Sequence, residues 1–195
     1  MSAPLVYLSG ELTLKIFIHS PGTGKTTTLV EAIHQVVLAD PNNRVLVCAP
    51  SNTATDLIAS RLVTWHNNRE LIRLSAPSRS YDALLPQLRN FSPAVDRRFT
   101  TPPKDELKKF RIVVSTCYYA SIPRALGVQD HFTHVFVDEA GNASEPELMV
   151  ALLQNAGNKT NVVLSGDVRT FVTIFAGNSM LTAVLANAIR PYCSV

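Results

Sequence analysis

The stretch from residue 15 to residue 38 most restricts what this chain can fold into. Lys15 to Ile18 has the apolar character of a short buried strand, and a turn containing two glycines follows at 20–24. Residues 25–38 then repeat apolar side chains at helical spacing. A strand and a helix joined by such a short turn must pack against each other, so the stretch predicts a fold of alternating strands and helices.

The turn itself has the composition of a phosphate-binding loop. Gly22 and Gly24 let backbone N–H groups approach an anion closely, and the N-terminus of the following helix favours negative charge. We expect Lys25 to bridge the β- and γ-phosphates of a nucleoside triphosphate and the hydroxyl of Thr26 to bind Mg²⁺. The predicted nucleotide-binding residues are Pro21, Gly22, Thr23, Gly24, Lys25, Thr26 and Thr27.

Two adjacent acids end a second apolar strand further along the chain. Asp138 and Glu139 directly follow Val135-Phe136-Val137. In a parallel sheet, side chains at this position meet ligands at the carboxyl edge. Such a pair alone is more often a solvated turn, but the loop at Lys25 favours a catalytic interpretation. We therefore predict that Asp138 serves Mg²⁺ and that Glu139 is the base that activates water.

The remaining pattern predicts an α/β fold, a three-layer α/β/α nucleotide-hydrolase domain with a mainly parallel sheet. Nearly continuous Val, Ile and Leu runs suit strands that helices cover on both faces. The chain has 195 residues with 46% hydrophobic content, enough for one globular domain. Strands are predicted at 15–18, 44–49, 71–74, 111–115, 135–138 and 161–165, and helices at 25–38, 53–65, 145–154 and 179–189.

Prolines and helix-capping residues help to delimit the segments of the chain. We predict an N-terminal segment at 1–14 and one domain at 15–190, in which 75–103, with five prolines, forms a loop or insertion. Ser144 precedes Glu147 at capping-box spacing, and Asn52 or Thr53 could cap the second helix.

Composition limits compartment and partners. Three widely spaced cysteines suit reduced thiols in a cytoplasmic protein. Apolar runs are too short for a membrane span, so we expect no membrane association. The net charge of +3 allows contact with a polyanion but does not demonstrate it.

Several motifs together resemble the superfamily 1 RNA helicases of the RNA-surveillance and RNA-silencing type, including the Armitage-like helicases. The resemblance extends over about 15–169. The stretches at 49–58 and 131–141 are the discriminating ones, because a general phosphate-loop protein needs neither. The motifs are Pro21 to Thr26, Ala49 to Ile58, Ser115 to Cys117, His131 to Gly141 and Leu164 to Asp167.

The resemblance implies ATP and Mg²⁺ as cofactors and single-stranded RNA, held by its backbone, as partner. It assigns RNA contacts to Pro50, Ser51 and Asn52, and further contacts to Ser115 and Thr116. Helix capping and turn formation are the alternative roles for these polar residues. The resemblance also assigns coupling between ATP and RNA to Gly166, Asp167 and Arg169.

The chain also differs from the family pattern. His19 stands where the first loop glycine is expected, Thr170 replaces a glutamine, and no upstream glutamine occurs at 1–14. We expect a second RecA-like domain, which supplies arginine fingers in the family, to be absent from this chain, so that the isolated chain is a weak ATP hydrolase or an inactive one. The alternatives are a degenerate or truncated module that binds nucleotide or RNA without catalysis, and a small-molecule kinase or other enzyme with a phosphate-binding loop.

Overall fold

The computed structural model of the chain describes residues 5–9, 12–18, 24–128, 131–157 and 159–167, with the first two ranges described as backbone. Strands account for much of this part of the chain. The bounds are β1 Leu5–Ser9, β2 Leu12–Ile18, β3 Val45–Ala49, β4 Leu71–Arg73, β5 Ala94–Val95, β6 Arg98–Phe99, β7 Ile112–Thr116, β8 His134–Val137 and β9 Asn161–Gly166.

Seven of these strands form one sheet in the order β1-β2-β9-β8-β3-β7-β4. β1 pairs antiparallel with β2, and every other neighbouring pair in this sheet is parallel. The predicted mainly parallel sheet is therefore confirmed. Since β1 and the start of β2 lie within 1–14, residues of the predicted N-terminal segment belong to this sheet.

Helices cover both faces of the sheet. The helices are α1 Lys25–Ala39, α2 Asn52–Leu62, α3 Lys104–Leu107, α4 Ile122–Ala125 and α5 Glu145–Leu153. Leu29, Ile33 and Ile58 of α1 and α2 pack on one face, whereas Leu148 and Ala151 of α5 pack on the other. The three-layer α/β/α architecture is thus confirmed, and within the described residues no helix is long and apolar enough to cross a membrane.

The core explains why the strands are nearly continuous in apolar residues. All five residues of β3 are completely buried. Val45 and Val47 face the α1 and α2 side, and Leu46 and Cys48 face the α5 side. A strand buried on both faces has no polar alternation, which is the pattern from which it was predicted.

The segment 75–103 is more ordered than a simple loop. It contains two 3₁₀ turns, Tyr81–Ala83 and Pro86–Phe91, and the antiparallel hairpin of β5 and β6. Leu84, Leu88 and Phe99 are buried against the core that α1 and α2 share. This segment therefore adds to the α1 and α2 side of the domain.

Two predictions concern helix starts. The capping box is confirmed, because the backbone N–H of Ser144 donates to Glu147 at 3.0 Å and its hydroxyl donates at 2.7 Å. The prediction that Asn52 or Thr53 caps α2 is wrong. Ser51 is the cap, and its Oγ accepts the N–H of Ala54 at 3.1 Å. The predicted helix at 179–189 lies outside the described residues.

Candidate functional site

The candidate site lies at the carboxyl edge of the parallel sheet. This edge collects functional residues because parallel strands all end on the same side. Neighbouring strands β9, β8, β3 and β7 lead to Gly166 and Asp167, to Asp138 and Glu139, to Pro50, Ser51 and Asn52, and to Thr116, respectively.

Gly24 is the last residue of the predicted phosphate-binding turn and the N-cap of α1. Its φ of 84° is left-handed, a conformation that side chains rarely adopt. A Cβ atom built there would meet nothing within 4 Å, so backbone conformation, rather than lack of space, selects glycine. Lys25 follows as the first residue of the helix and is half-buried, while the N–H of Thr28 closes the first turn on the Gly24 carbonyl at 3.0 Å.

A side-chain hydrogen bond joins the two halves of the predicted nucleotide site. The hydroxyl of Thr26 donates to Oδ2 of Asp138 at 3.0 Å. Thr26 is on α1 and Asp138 directly follows β8, so this contact joins residues far apart in sequence. Asp138 is 2% exposed, and its other oxygen, Oδ1, accepts the N–H of Glu139 at 3.0 Å.

The residues present fit a magnesium ion. Mg²⁺ prefers oxygen ligands at about 2.0–2.1 Å in an octahedron, which separates neighbouring ligand oxygens by about 2.9 Å. The hydroxyl oxygen of Thr26 and Oδ2 of Asp138 are 3.0 Å apart, close to that separation. Both are hard oxygen donors, and they adjoin the turn that is expected to hold phosphates. When bound, Mg²⁺ would neutralise phosphate charge at this position.

Glu139 has an unusual backbone conformation. Its φ of 51° is left-handed, which costs a non-glycine residue about 1–2 kcal/mol. The residue is half-buried, and its carbonyl accepts the N–H of Asn142 at 2.8 Å. Residues held in such conformations concentrate at functional sites. Glu139 thus lies at the turn after β8, directly before the 3₁₀ turn Ala140–Asn142.

The second group of residues extends from the end of β3. Ser51 and Asn52 are exposed, and Pro50 is half-buried. Residue Cys48 of β3 pairs with Val137 of β8, so this group is one strand away from Asp138. The Ser51 hydroxyl oxygen is used by the helix cap, as described above, which leaves its hydroxyl hydrogen and the exposed end of Asn52 at the surface.

The last two residues of β7, Ser115 and Thr116, differ in burial. Ser115 is completely buried, and its hydroxyl donates to the Thr116 carbonyl at 3.1 Å. Thr116 is half-buried, and its Oγ1 accepts the N–H of Tyr119 at 3.3 Å. In this conformation the Ser115 side chain does not reach the edge, so the predicted RNA contact depends on Thr116.

Comparison with known proteins identifies the family. A family model described as "AAA domain" matches residues 7–98 and 78–169, which together cover most of the chain. The chain is 38% identical to "RNA helicase Mov10l1" of Homo sapiens over 158 residues, 78% of this chain. The chain belongs to the superfamily 1 RNA helicases.

Other relatives agree on this helicase assignment. The chain is 38% identical to "Putative helicase MOV-10" of Gallus gallus over 86% of its length, and 34% identical to "Probable RNA helicase armi" of Drosophila melanogaster over 79%. It spans 12%, 18% and 15% of the lengths of these three relatives. The resemblance to Armitage-like helicases is confirmed.

A solved structure supports the fold of this helicase domain. The "C-terminal part of Fun30 ATPase domain" superposes with a TM-score of 0.51 at 14% identity, over 84% of this chain and 49% of that one. At this identity the likeness concerns the fold alone.

Several predicted residues of the helicase chain lie outside the described residues. These are Pro21, Gly22 and Thr23 of the phosphate loop, Arg169 of the coupling segment, and the two departures His19 and Thr170.

A buried charge cluster that no sequence pattern predicted lies beneath the start of α2. Arg73 of β4 is completely buried, and its Nε donates to Oδ1 of Asp56 at 3.0 Å. Arg79 donates to both oxygens of the same carboxylate. Burial lowers the pKa of Arg73 to about 10, although the attraction of Asp56 opposes this shift. The signal available in the sequence was an arginine inside the apolar run Leu71 to Leu74.

Proposed function

We propose that this helicase domain binds ATP with Mg²⁺ at the turn before α1 and hydrolyses it slowly. The observation that carries the proposal is the 3.0 Å contact between Thr26 and Asp138, which joins the start of α1 to the acidic end of β8. Phosphoryl transfer depends mainly on positioning and charge stabilisation, and we propose that these residues supply both.

Each residue of the nucleotide site has a distinct role in this proposal. The ammonium of Lys25 holds the β- and γ-phosphates, and Thr26 and Asp138 hold the magnesium ion. Glu139, on the kinked turn next to Asp138, accepts a proton from the attacking water. The left-handed backbone of Glu139 supports this role, because such strain concentrates where a side chain must be aimed.

The residues after β3 support the proposal that the domain binds the sugar-phosphate backbone of single-stranded RNA. Ser51 and Asn52 are exposed at the N-terminus of α2, where hydroxyl, amide and backbone groups hold phosphates without reading bases. Thr116 lies on the adjoining strand, since it is the partner of Ala49 in the β3 and β7 register. RNA would thus follow the edge from β3 to β7, next to the nucleotide.

Coupling between ATP and RNA requires a second RecA-like domain. An arginine supplied by another domain is worth about 10³ to 10⁵ in the rate of phosphoryl transfer. We therefore expect the domain, when assayed without such a second domain, to turn over ATP slowly and not to unwind RNA. Gly166 ends β9, and Asp167 and Arg169 follow it in the sequence; these three residues are proposed to transmit the nucleotide state.

We also propose a cytoplasmic role in RNA silencing or surveillance, as the family resemblance implies. Cys48 and Cys117 are buried free thiols, which suits a reducing compartment. Burial raises the pKa of Cys48 well above its usual value, and burial together with Glu147 raises that of Cys117 to about 12. Neither thiol is activated for chemistry, so both serve as small core residues.

The proposed function is tested by ATP binding in the presence of Mg²⁺. We expect Lys25→Ala to weaken binding about 10- to 100-fold, because it removes a charge-assisted hydrogen bond to phosphate. The matched control is Lys104→Ala, which removes an exposed lysine on α3 and should bind like the wild type. Isothermal titration of each protein gives the affinities. Equal binding by wild type and Lys25→Ala would defeat the proposal.

A module without catalytic activity is the second candidate, favoured by His19 in place of the loop glycine and by Thr170 in place of glutamine. It would bind Mg²⁺ and ATP at the same turn but release no phosphate. Single-turnover hydrolysis with excess protein separates the two candidates. Phosphate release that disappears in Glu139→Gln supports the hydrolase, and no release from wild type supports the binding module.

A further inference from the structure

The charge cluster beneath α2 contains more positive than negative charge. Arg73 and Arg79 both pair with the single carboxylate of Asp56. Their remaining acceptors in the described structure are neutral. Arg73 donates to the Leu74 carbonyl, and Arg79 donates to the Ala83 carbonyl at 3.2 Å and to the Ser75 hydroxyl at 3.3 Å. These three charged residues therefore carry one net positive charge, and the side chains of Arg73 and Arg79 are 0% and 8% exposed.

One contact connects this cluster to the surface. Nη2 of Arg73 donates to Oδ1 of Asn52 at 2.9 Å. A guanidinium can only donate, so the amide atom facing it must be the oxygen. The NH₂ group of Asn52 is consequently the end that faces away from Arg73. Asn52 is exposed as the first residue of α2, so it offers hydrogen-bond donors at the surface.

We infer that Arg73 is a positioning residue that holds Asn52 as a hydrogen-bond donor to a phosphodiester oxygen of RNA, whose negative charge offsets the excess positive charge beneath. The inference rests on the proposed RNA-binding function and deepens it. Asp56 and Arg79 take part by holding Arg73 in place through the shared carboxylate. A phosphodiester suits both features, because it accepts hydrogen bonds and carries one negative charge.

The amide has a close isostere that reverses its hydrogen-bonding role. In Asn52→Asp a carboxylate oxygen still accepts from Arg73, and the cluster gains the negative charge that it lacks. The fold should therefore be kept or stabilised. The outward group, however, becomes a negatively charged acceptor that repels phosphate. The inference thus predicts effects of opposite sign, with a melting temperature at or above that of the wild type and weaker RNA binding.

The experiment measures fluorescence anisotropy of a labelled oligouridylate of about 12 nucleotides, a length in the range of single-stranded binding sites. The full chain and its variants are titrated at low salt, and melting temperatures are recorded in parallel. Asn52→Asp should weaken binding at least tenfold, and Asn52→Ala about three- to tenfold. Asn68→Asp, which adds the same charge at an exposed asparagine beyond α2, should bind within twofold of wild type.

Arg73→Lys tests the positioning step directly. Lysine keeps the charge, but it cannot hold Asp56 and Asn52 together through a planar fork. RNA binding should fall as in Asn52→Ala, and Arg73→Lys combined with Asn52→Ala should be no weaker than either alone. If Arg73→Lys does not fold, Asn52→Asp decides.

The outcomes separate this inference from the function on which it rests. No RNA binding by the wild type would overturn the proposed RNA-binding function and this inference with it. Wild-type binding that Asn52→Asp leaves unchanged would overturn this inference alone. A loss of binding in Asn52→Asp with an unchanged or raised melting temperature, and without a comparable loss in Asn68→Asp, supports the inference.

Discussion

Two regions of the molecule each contain a buried aspartate in different surroundings. One is the nucleotide edge, the predicted nucleotide site of Thr26, Asp138 and Glu139, and the other is the charge cluster beneath α2. At the nucleotide edge, Asp138 accepts hydrogen bonds from two uncharged donors, the hydroxyl of Thr26 and the N–H of Glu139. In the cluster, Asp56 is paired with two guanidinium groups. Both carboxylates are almost completely buried, at 2% and 4% exposure.

The difference indicates that the nucleotide edge suits a cation and that the cluster suits an anion. Uncharged donors do not offset the negative charge of Asp138, which suits a position that a divalent cation approaches. The cluster is over-supplied with positive charge, which suits a neighbouring phosphate. Asp56 in the cluster thus has protein cations as partners, whereas the hydrogen-bond donors to Asp138 among the described residues are uncharged. The same substitution, aspartate to asparagine, should therefore lower mainly stability in the cluster and mainly ligand affinity at the nucleotide edge.

The largest expected effect is on the stability of the cluster. Asp56→Asn leaves two buried guanidinium groups without a carboxylate, and breaking a buried pair in this way costs about 3–5 kcal/mol. The free energy of unfolding, measured by urea denaturation with circular dichroism, should fall by this amount. Asp105→Asn is the matched control, because Asp105 is exposed on α3 and its replacement should cost less than about 0.5 kcal/mol. Equal stability of Asp56→Asn and wild type would contradict the comparison.

The sheet and the meeting of Thr26 with Asp138 were predictable from local sequence and a topological rule. Strands covered on both faces are continuous in apolar residues, so β3 was predicted at 44–49 and observed at Val45–Ala49. Parallel strands end at one edge, so the meeting of Thr26 and Asp138 followed from the order of the motifs. Both inferences need only local sequence and a topological rule.

The cluster was not predictable in the same way. Arg73 lies in a strand predicted as apolar, and its partner Asp56 is on a helix that precedes it in the chain. Whether the two side chains meet depends on how α2 lies over β4, which no local pattern determines. The hairpin of β5 and β6 was missed for a related reason. Its turn residues, Asp96 and Arg97, have positive φ angles, although neither is the glycine that marks such turns.

The second prediction concerns the nucleotide edge, where stability should change little and ligand affinity should change more. In Asp138→Asn the amide oxygen can still accept the N–H of Glu139 while the NH₂ group donates to the hydroxyl oxygen of Thr26, and a buried negative charge is removed. The free energy of unfolding without ligand should therefore stay within about 1 kcal/mol of wild type. Affinity for ATP with Mg²⁺ should fall about 10- to 100-fold, as when support for a metal ligand is lost.

Paired measurements on Asp138→Asn would sharpen the comparison. Titration with ATP in Mg²⁺ and in EDTA separates the metal-dependent part of binding, and only that part should be lost. A destabilisation as large as that of Asp56→Asn would show that Asp138 belongs to the structural framework, and the contrast between the two regions would fail.

The smallest expected effect is a loss of folding stability at acidic pH. It determines the pH range in which the two regions can be compared. Burial lowers the pKa of His66 below its ordinary 6.5, a shift that Glu70 opposes and that His34 and Arg111 reinforce. Near this value the unfolded chain takes up a proton that the folded chain resists, so stability is kept above pH 6.5 and lost as the pH falls below it. The loss is at most about 1.4 kcal/mol per pH unit for this group.

His66 adjoins neither carboxylate of the comparison, since its ring contacts His34 at 3.1 Å and lies 3.8 Å from Glu70. Urea denaturation at pH 7.5 and at pH 5.5 should show a smaller decrease in stability for His66→Gln than for wild type. Burial also lowers the pKa of His131, so part of the decrease should remain in the variant. An identical decrease in both proteins would assign the acid sensitivity elsewhere, and the two carboxylate regions would then have to be compared at each pH separately.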